Sequence, residues 1–297
     1  MDCPPAVPAN TCWNIWLKHR KQYCPFLEDR RDISSGIEFL ELLAAAGHSY
    51  VIKVRLQGNV YALKLYTLLQ PHWSPSRFEK YALTEDPFIV ECQVYDYLIE
   101  KKLVGVASPH CHGWLTIDND QERKLARKLH QTFEWRRRPD TARDPVRGLL
   151  LEYVEGYTLD KAYMTPLAAQ SLRDQLNHLH SLDIAHGDFL PRNIMVSNDS
   201  RALLIDFSSA ILWPHPNFLV RKREDFLRYI ENEKSALELF LFRLQMVRKT
   251  SVLFIYLAHI KQLKRHQGMK FTDAESEEEA YGGTLSNRAN NNYAFVD

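Results

Sequence analysis

His186-Gly187-Asp188-Phe189-Leu190-Pro191-Arg192-Asn193, with Asp206-Phe207-Ser208 beginning thirteen residues after Asn193, is the stretch whose reading decides the fold. It sets an aspartate, an asparagine and a second aspartate at spacings suited to ATP-dependent phosphoryl transfer. That chemistry needs one carboxylate to orient a hydroxyl and further oxygen ligands to hold magnesium on the phosphates. Ile194-Met195-Val196 and Ala202-Leu203-Leu204-Ile205 are short apolar runs joined by the turn-forming Ser197-Asn198-Asp199-Ser200. Both magnesium candidates, Asn193 and Asp206, therefore fall at the edges of predicted strands.

Upstream, the pattern from Gly36 to Tyr66 is β. Ile37 to Leu43, Ser49 to Leu56 and Val60 to Tyr66 are predicted strands, with Gln57-Gly58-Asn59 as a hairpin turn between the last two. Side chains alternate along a strand, so Val60, Ala62 and Lys64 share a face. A lysine beside Val and Ala suits the wall of a pocket that holds an anion. Pro87 to Leu103 is predicted helical, with Phe88, Glu91, Tyr95 and Leu98 on one face. A carboxylate in an apolar stripe needs a cation partner to be buried cheaply, and Lys64 is the candidate. Taken singly, each residue has an ordinary reading: Lys64 as a solvated strand lysine, Glu91 as a surface acid, Asp206 as a turn residue.

Further elements are a strand in 107–117, an amphipathic helix with Leu125, Leu129 and Phe133 up to the Arg136-Arg137-Arg138-Pro139 break, and an apolar strand from Gly148 to Val154. Helices are expected over 165–182, 222–247 and 251–266. The basic stretch 119–147 suits a solvated helix and loop or, less simply, a docking patch for an acidic partner. Asp225 suits an anchor for the loop at 186–193 or a helix N-terminal charge. His110-Cys111-His112 invites a metal reading, but no further ligand cluster lies nearby in sequence.

The chain has 297 residues, 45% of them hydrophobic, with 38 basic and 37 acidic side chains. A net charge of +1 offers no argument for nucleic acid or a membrane surface. Five scattered cysteines without C-x-x-C pairs suggest reduced thiols rather than zinc or disulfides. Met1–Asn10 lacks the features of a secretory signal, and the apolar run at 251–260 is too short to span a bilayer. The expected protein is soluble and cytoplasmic or nuclear. The expected division is an extension at 1–34, an N-terminal lobe at 35–154 containing the basic insertion 119–147, a C-terminal lobe at 155–267 and a disordered acidic then Gly/Asn-rich tail at 268–297.

In order and spacing these pieces resemble the protein-kinase-like superfamily over roughly residues 36–250. Ala62-Leu63-Lys64 looks like the A-x-K of the third strand, Glu91 like its helix partner, and Leu151 to Gly156 like the hinge. His186-Gly187-Asp188 with Asn193 looks like the catalytic loop and Asp206-Phe207-Ser208 like D-F-G. The resemblance extends to divergent fungal protein-kinase-like domains and, through H-G-D, to aminoglycoside and choline phosphotransferases. It implies an α+β bilobal fold: a small antiparallel β-sheet N-lobe with one helix and a reduced, mainly helical C-lobe. It also implies that Lys64, fixed by Glu91, holds ATP phosphates and that Asp188 orients the acceptor hydroxyl. Asn193 and Asp206 would coordinate Mg2+. Gly47 and Ser49 would approach the phosphates, the backbone around Glu152 and Val154 would meet adenine, and Ala62 and Leu151 would be the apolar walls.

Several features depart from that pattern. The loop Ala44-Ala45-Ala46-Gly47-His48-Ser49 keeps one glycine, Gly187 replaces an arginine, Leu190 replaces a lysine, Ser208 replaces the D-F-G glycine, and no A-P-E follows. Arg192 is the only nearby cation on that loop. The expected function is an ATP- and magnesium-dependent phosphotransferase acting on a hydroxyl of a protein Ser/Thr or a small molecule. The alternative is a pseudokinase that serves as a binding scaffold.

Overall fold

The computed structural model describes residues 12–68, 85–139, 141–159, 161, 164–199, 201–215 and 222–243. The chain divides into two compact units, Met1–Phe240 and Leu241–Asp297. The elements below up to residue 240 belong to the first. The helix expected at 251–266 and the tail expected at 268–297 lie outside the described residues.

The sheet expected near the N-terminus is present. Strands β1 (Glu38–Ala45), β2 (Ser49–Leu56), β3 (Asn59–Tyr66), β4 (Cys111–Ile117) and β5 (Val146–Glu152) form one five-stranded antiparallel sheet in the order β1-β2-β3-β5-β4. The β2–β3 turn closes between Leu56 and Asn59, with Gln57 and Gly58 at φ 49° and 83°. Two positive φ values match the twist of a tight hairpin, and Gly58 adopts one without steric cost. One face of the sheet carries Phe39, Ile52, Val54, Leu63, Leu65, Leu115 and Ile117, all buried. It is covered by Leu125 of α3 (Asn119–Leu129), Trp135 and the half-buried Phe133. The basic insertion therefore roofs the outer face of the sheet. Its helix stops earlier than the Leu125-Leu129-Phe133 spacing predicted, because His130 takes the left-handed conformation and ends it.

Helix α2 (Pro87–Glu100) starts on a buried cap. Asp86 accepts hydrogen bonds from Phe88 N and Ile89 N and pairs with Arg147 at 3.0 Å. Proline at the first helical position fits the same start. The N-terminal extension is built into this region. Trp16 of α1 (Cys12–Tyr23) meets the rings of Phe88 and Trp114 edge-on at 5.1 and 4.7 Å. Asp96 of α2 accepts from the backbone N–H groups of Phe26 and Leu27, each at 2.7 Å.

The remaining elements are β6 (Gly156–Thr158), α4 (Pro166–Ser181), β7 (Ile184–Ala185), β8 (Ile194–Ser197), β9 (Ala202–Leu204), β10 (Ile211–Leu212) and a helix α5 over 223–243, whose residues up to 240 lie in the first unit. Strands β6, β8 and β9 make a small sheet, and β7 pairs with β10. Gln175 ties α4 to β9 by accepting from Leu204 N at 3.2 Å. The class is α+β, as expected.

Candidate functional site

Register places Lys64 opposite Leu149 on β5 and Val51 on β2, in the middle of the sheet. Its Nζ lies 2.5 Å from Glu91 Oε2 and 2.7 Å from Asp206 Oδ1. The expected Lys64–Glu91 pair is thus formed, and Glu91 is fully buried. Tyr66, two residues along the same strand face, donates its hydroxyl to the same Oε2 at 2.6 Å. Burial alone would lower the Lys64 pKa, but Glu91 and then Asp206 outweigh it and hold the ammonium above its ordinary value.

Asp206 follows β9 at a φ of +64°. Its Oδ1 accepts from Lys64 and from the Ser208 hydroxyl, the latter at 2.6 Å. Burial pushes the carboxyl up, yet the Lys64 charge and these hydrogen bonds keep it well below the usual carboxylate range. Ser208, where glycine was expected from the resemblance, therefore caps the aspartate. The turn after β1 brings His48 over the same oxygen at 3.8 Å, beyond hydrogen-bonding reach. Phe207 is fully buried between Tyr95 of α2, at 5.6 Å, and His186, at 5.1 Å.

The loop at 186–193 is held from several sides. His186 is buried under the loop, where it donates from Nε2 to the carbonyl of Ile205 at 3.0 Å, and burial lowers its pKa. Asn193 Nδ2 donates to Asp188 O at 2.8 Å and to Asp188 Oδ2 at 2.9 Å, and Arg192 pairs with the same Oδ2 at 2.8 Å. Gly187 sits at φ +79°, where an added Cβ would lie 1.9 Å from Ser209 O. No arginine could stand there without moving the chain.

The loop's anchor is Glu233, not Asp225. Glu233 accepts from His186 N at 3.1 Å, from Gly187 N at 2.8 Å and meets His180 Nε2 at 2.8 Å. Asp225 pairs with Arg228 instead. The signal for Glu233 was present in the sequence. It stands in the stripe Phe226, Ile230, Glu233, Leu237, all buried, which has the same pattern that marked Glu91.

The other expected site residues are more scattered in role. Ala62 and Leu151 are register partners on neighbouring strands. Ser49 is buried, whereas Gly47 is exposed at the tip of the turn, with no atom within 4 Å of a would-be Cβ. The Glu152 N–H donates to His110 O at 2.8 Å and its side chain accepts from His110 N, so that amide already has a partner. Val154 follows the end of β5 and is half-buried. His112 packs edge-on against Tyr61, and no cluster of three metal-binding side chains occurs among the described residues.

The fold and site together define an α+β protein with an internal ion-pair network, in which Lys64 joins a sheet helix to the segment after β9 and Asp188 is tied to its own loop. Residues 25–211, well over half of the chain, match the family model described as Kinetochore Sim4 complex subunit FTA2, and the chain belongs to this family. No curated protein matches it. The family match overturns the resemblance to the protein-kinase-like superfamily, and with it the assignment as an ATP-binding phosphotransferase. The matched span contains Lys64, Glu91, Asp188, Asn193 and Asp206, all the positions on which that resemblance rested, and it is a kinetochore family rather than a kinase one. Their spacing has a structural meaning as well: Lys64, Glu91 and Asp206 pair where sheet, helix and the segment after β9 meet, and Asp188 and Asn193 tie their own loop.

Proposed function

We propose that this chain is a kinetochore complex subunit that works as a binding scaffold, located on chromosomes in the nucleus rather than in the cytoplasm. The observation that carries the reading is the match over 25–211 to a kinetochore complex subunit family. The internal pairing supports it, because the Lys64 charge is spent on Glu91 and Asp206 within the protein. Its partners are then other proteins of such a complex. The five-stranded sheet with α2 forms one of two lobes in this reading, and the elements from 155 onward form the other. No helix among the described residues is long and apolar enough to cross a membrane.

A second reading concerns ligands of the same residues. Asp206, held ionised, and the Asn193 side-chain oxygen are the hard oxygen donors that Mg2+ takes. Lys64 is the cation that would meet ATP phosphates. These residues fit ATP and Mg2+ as ligands, and bound magnesium would supply charge neutralisation. The single-glycine turn and the occupied Glu152 amide weigh against tight binding.

The test uses Asp188→Asn, which keeps shape but removes the charge. In the scaffold reading the variant co-localises with centromeres and co-purifies with its complex as the parent does. Loss of both in a folded variant refutes it. ATP turnover by the purified chain that Asp188→Asn abolishes would displace the scaffold reading by an enzymatic one.

A further inference from the structure

The roof of the sheet carries a local charge surplus well above the balance of the whole chain. Residues 119–138 hold seven Lys or Arg against three Asp or Glu, in a chain whose net charge is +1. Two of those three carboxylates are spoken for: Asp120 pairs with Arg123, and Glu122 takes both guanidinium nitrogens of Arg137, at 2.6 and 3.0 Å. Lys124, Arg127 and Lys128 remain exposed, with no carboxylate within 4.0 Å among the described residues. At i, i+3 and i+4 they share one helix face and span about 6 Å of its axis.

The platform beneath them is firmly set. Helix α3 begins with a capping box between Asp118 and Gln121, Gln121 Nε2 donates to Ser34 O at 2.5 Å, and Leu125 is buried in the sheet core. The three cations are therefore presented from a fixed helix and not from a loose loop, which lowers the ordering cost of binding.

We propose that the outer face of α3 docks an acidic peptide segment of a partner protein, with Lys124, Arg127 and Lys128 meeting carboxylates spaced along it. The short span favours a peptide over nucleic acid. A phosphate backbone needs a longer basic track and a basic domain, and this chain has a pI near 7.7. The idea rests on the reading of the chain as a scaffold subunit.

The test measures binding of a fluorescent polyglutamate peptide to the purified full chain at low salt, with polyglutamine and duplex DNA as competing probes. Lys124→Glu/Arg127→Glu/Lys128→Glu is expected to weaken polyglutamate binding by at least about tenfold, since each exposed pair lost or reversed contributes modestly. Added salt weakens binding in the parent. The neutral Lys124→Gln/Arg127→Gln/Lys128→Gln variant should fall between the two. Equal weakening by Lys18→Glu/Lys102→Glu/Lys161→Glu, exposed cations elsewhere, overturns the proposal. So does tighter binding of duplex DNA than of polyglutamate, or unchanged binding in both α3 variants. Because the assay uses only the purified chain and defined probes, its failure leaves the centromere result standing, and the two readings can fail separately.

Discussion

Lys64→Met removes the cation that Glu91 and Asp206 share while keeping the length of the side chain. Lys64 and Glu91 have side chains 5% and 0% exposed, and Asp206 is 23% exposed. Breaking a buried pair by deleting one partner costs about 3–5 kcal/mol, because the other charge is left without compensation. Water reaches Asp206, so its part is screened and the low end, about 3 kcal/mol, is expected. At about 2–4 °C per kcal/mol for a chain of this size, Tm falls by roughly 6–12 °C. The double variant Lys64→Met/Glu91→Gln should recover part of that loss. Glutamine carries no charge, and its side-chain oxygen still accepts from the Tyr66 hydroxyl that now donates to Glu91. Thermal unfolding followed by circular dichroism or calorimetry measures both. A Lys64→Met variant that melts with the parent, or a double variant less stable than the single, refutes the view of this network as the structural tie between sheet, helix and the segment after β9.

Asp206 is held well below its ordinary value of 3.8, so its stabilising effect is present above that pH and is lost as pH falls through and below it. The stability gap between parent and Asp206→Asn should be widest near neutrality and close under acid conditions; denaturant midpoints that keep a constant gap would contradict this. Gly187→Ala should cost at least about 2 kcal/mol, given the positive φ and the clash with Ser209 O, whereas Gly47→Ala should stay within about 0.5 kcal/mol. Urea denaturation compares the two, and equal effects would show that the tight packing at Gly187 is not what fixes its identity. Glu233→Ala leaves the buried His186 N–H, the partly exposed Gly187 N–H and His180 without their acceptor, for a loss of about 2–3 kcal/mol. Amide exchange at His186 and Gly187 should quicken, and unchanged protection would remove Glu233 from its anchoring role.

Local periodicity carried most of the secondary structure. The β2–β3 hairpin, the helix from Pro87, the helix over 166–181 and the paired strands around 194–204 all stand close to their expected bounds, because alternation, proline and turn residues act over a few neighbours. The end of α3 was misplaced because apolar spacing continued past a residue whose backbone conformation ended the helix. Within the site, the Lys64–Glu91 pair was legible since a lysine and a glutamate each stood in an apolar stripe, and buried charges seek each other. The function drawn from the same residues was not legible. An aspartate–asparagine–aspartate spacing is compatible with holding metal and with tying loops together, and the family match assigns the chain to a kinetochore complex subunit family.

By itself, the sequence determined the individual strands and helices, the central hairpin, the charge pairing across strand and helix, and the basic character of 119–138. Only the tertiary structure decided that Glu233 rather than Asp225 anchors the loop, that Ser208 caps Asp206, that Gly187 is demanded by Ser209, and that the basic insertion roofs the sheet. Each of these depends on groups brought together from distant parts of the chain or on a backbone dihedral. Side-chain period along one element carries no information about which element will pack against it.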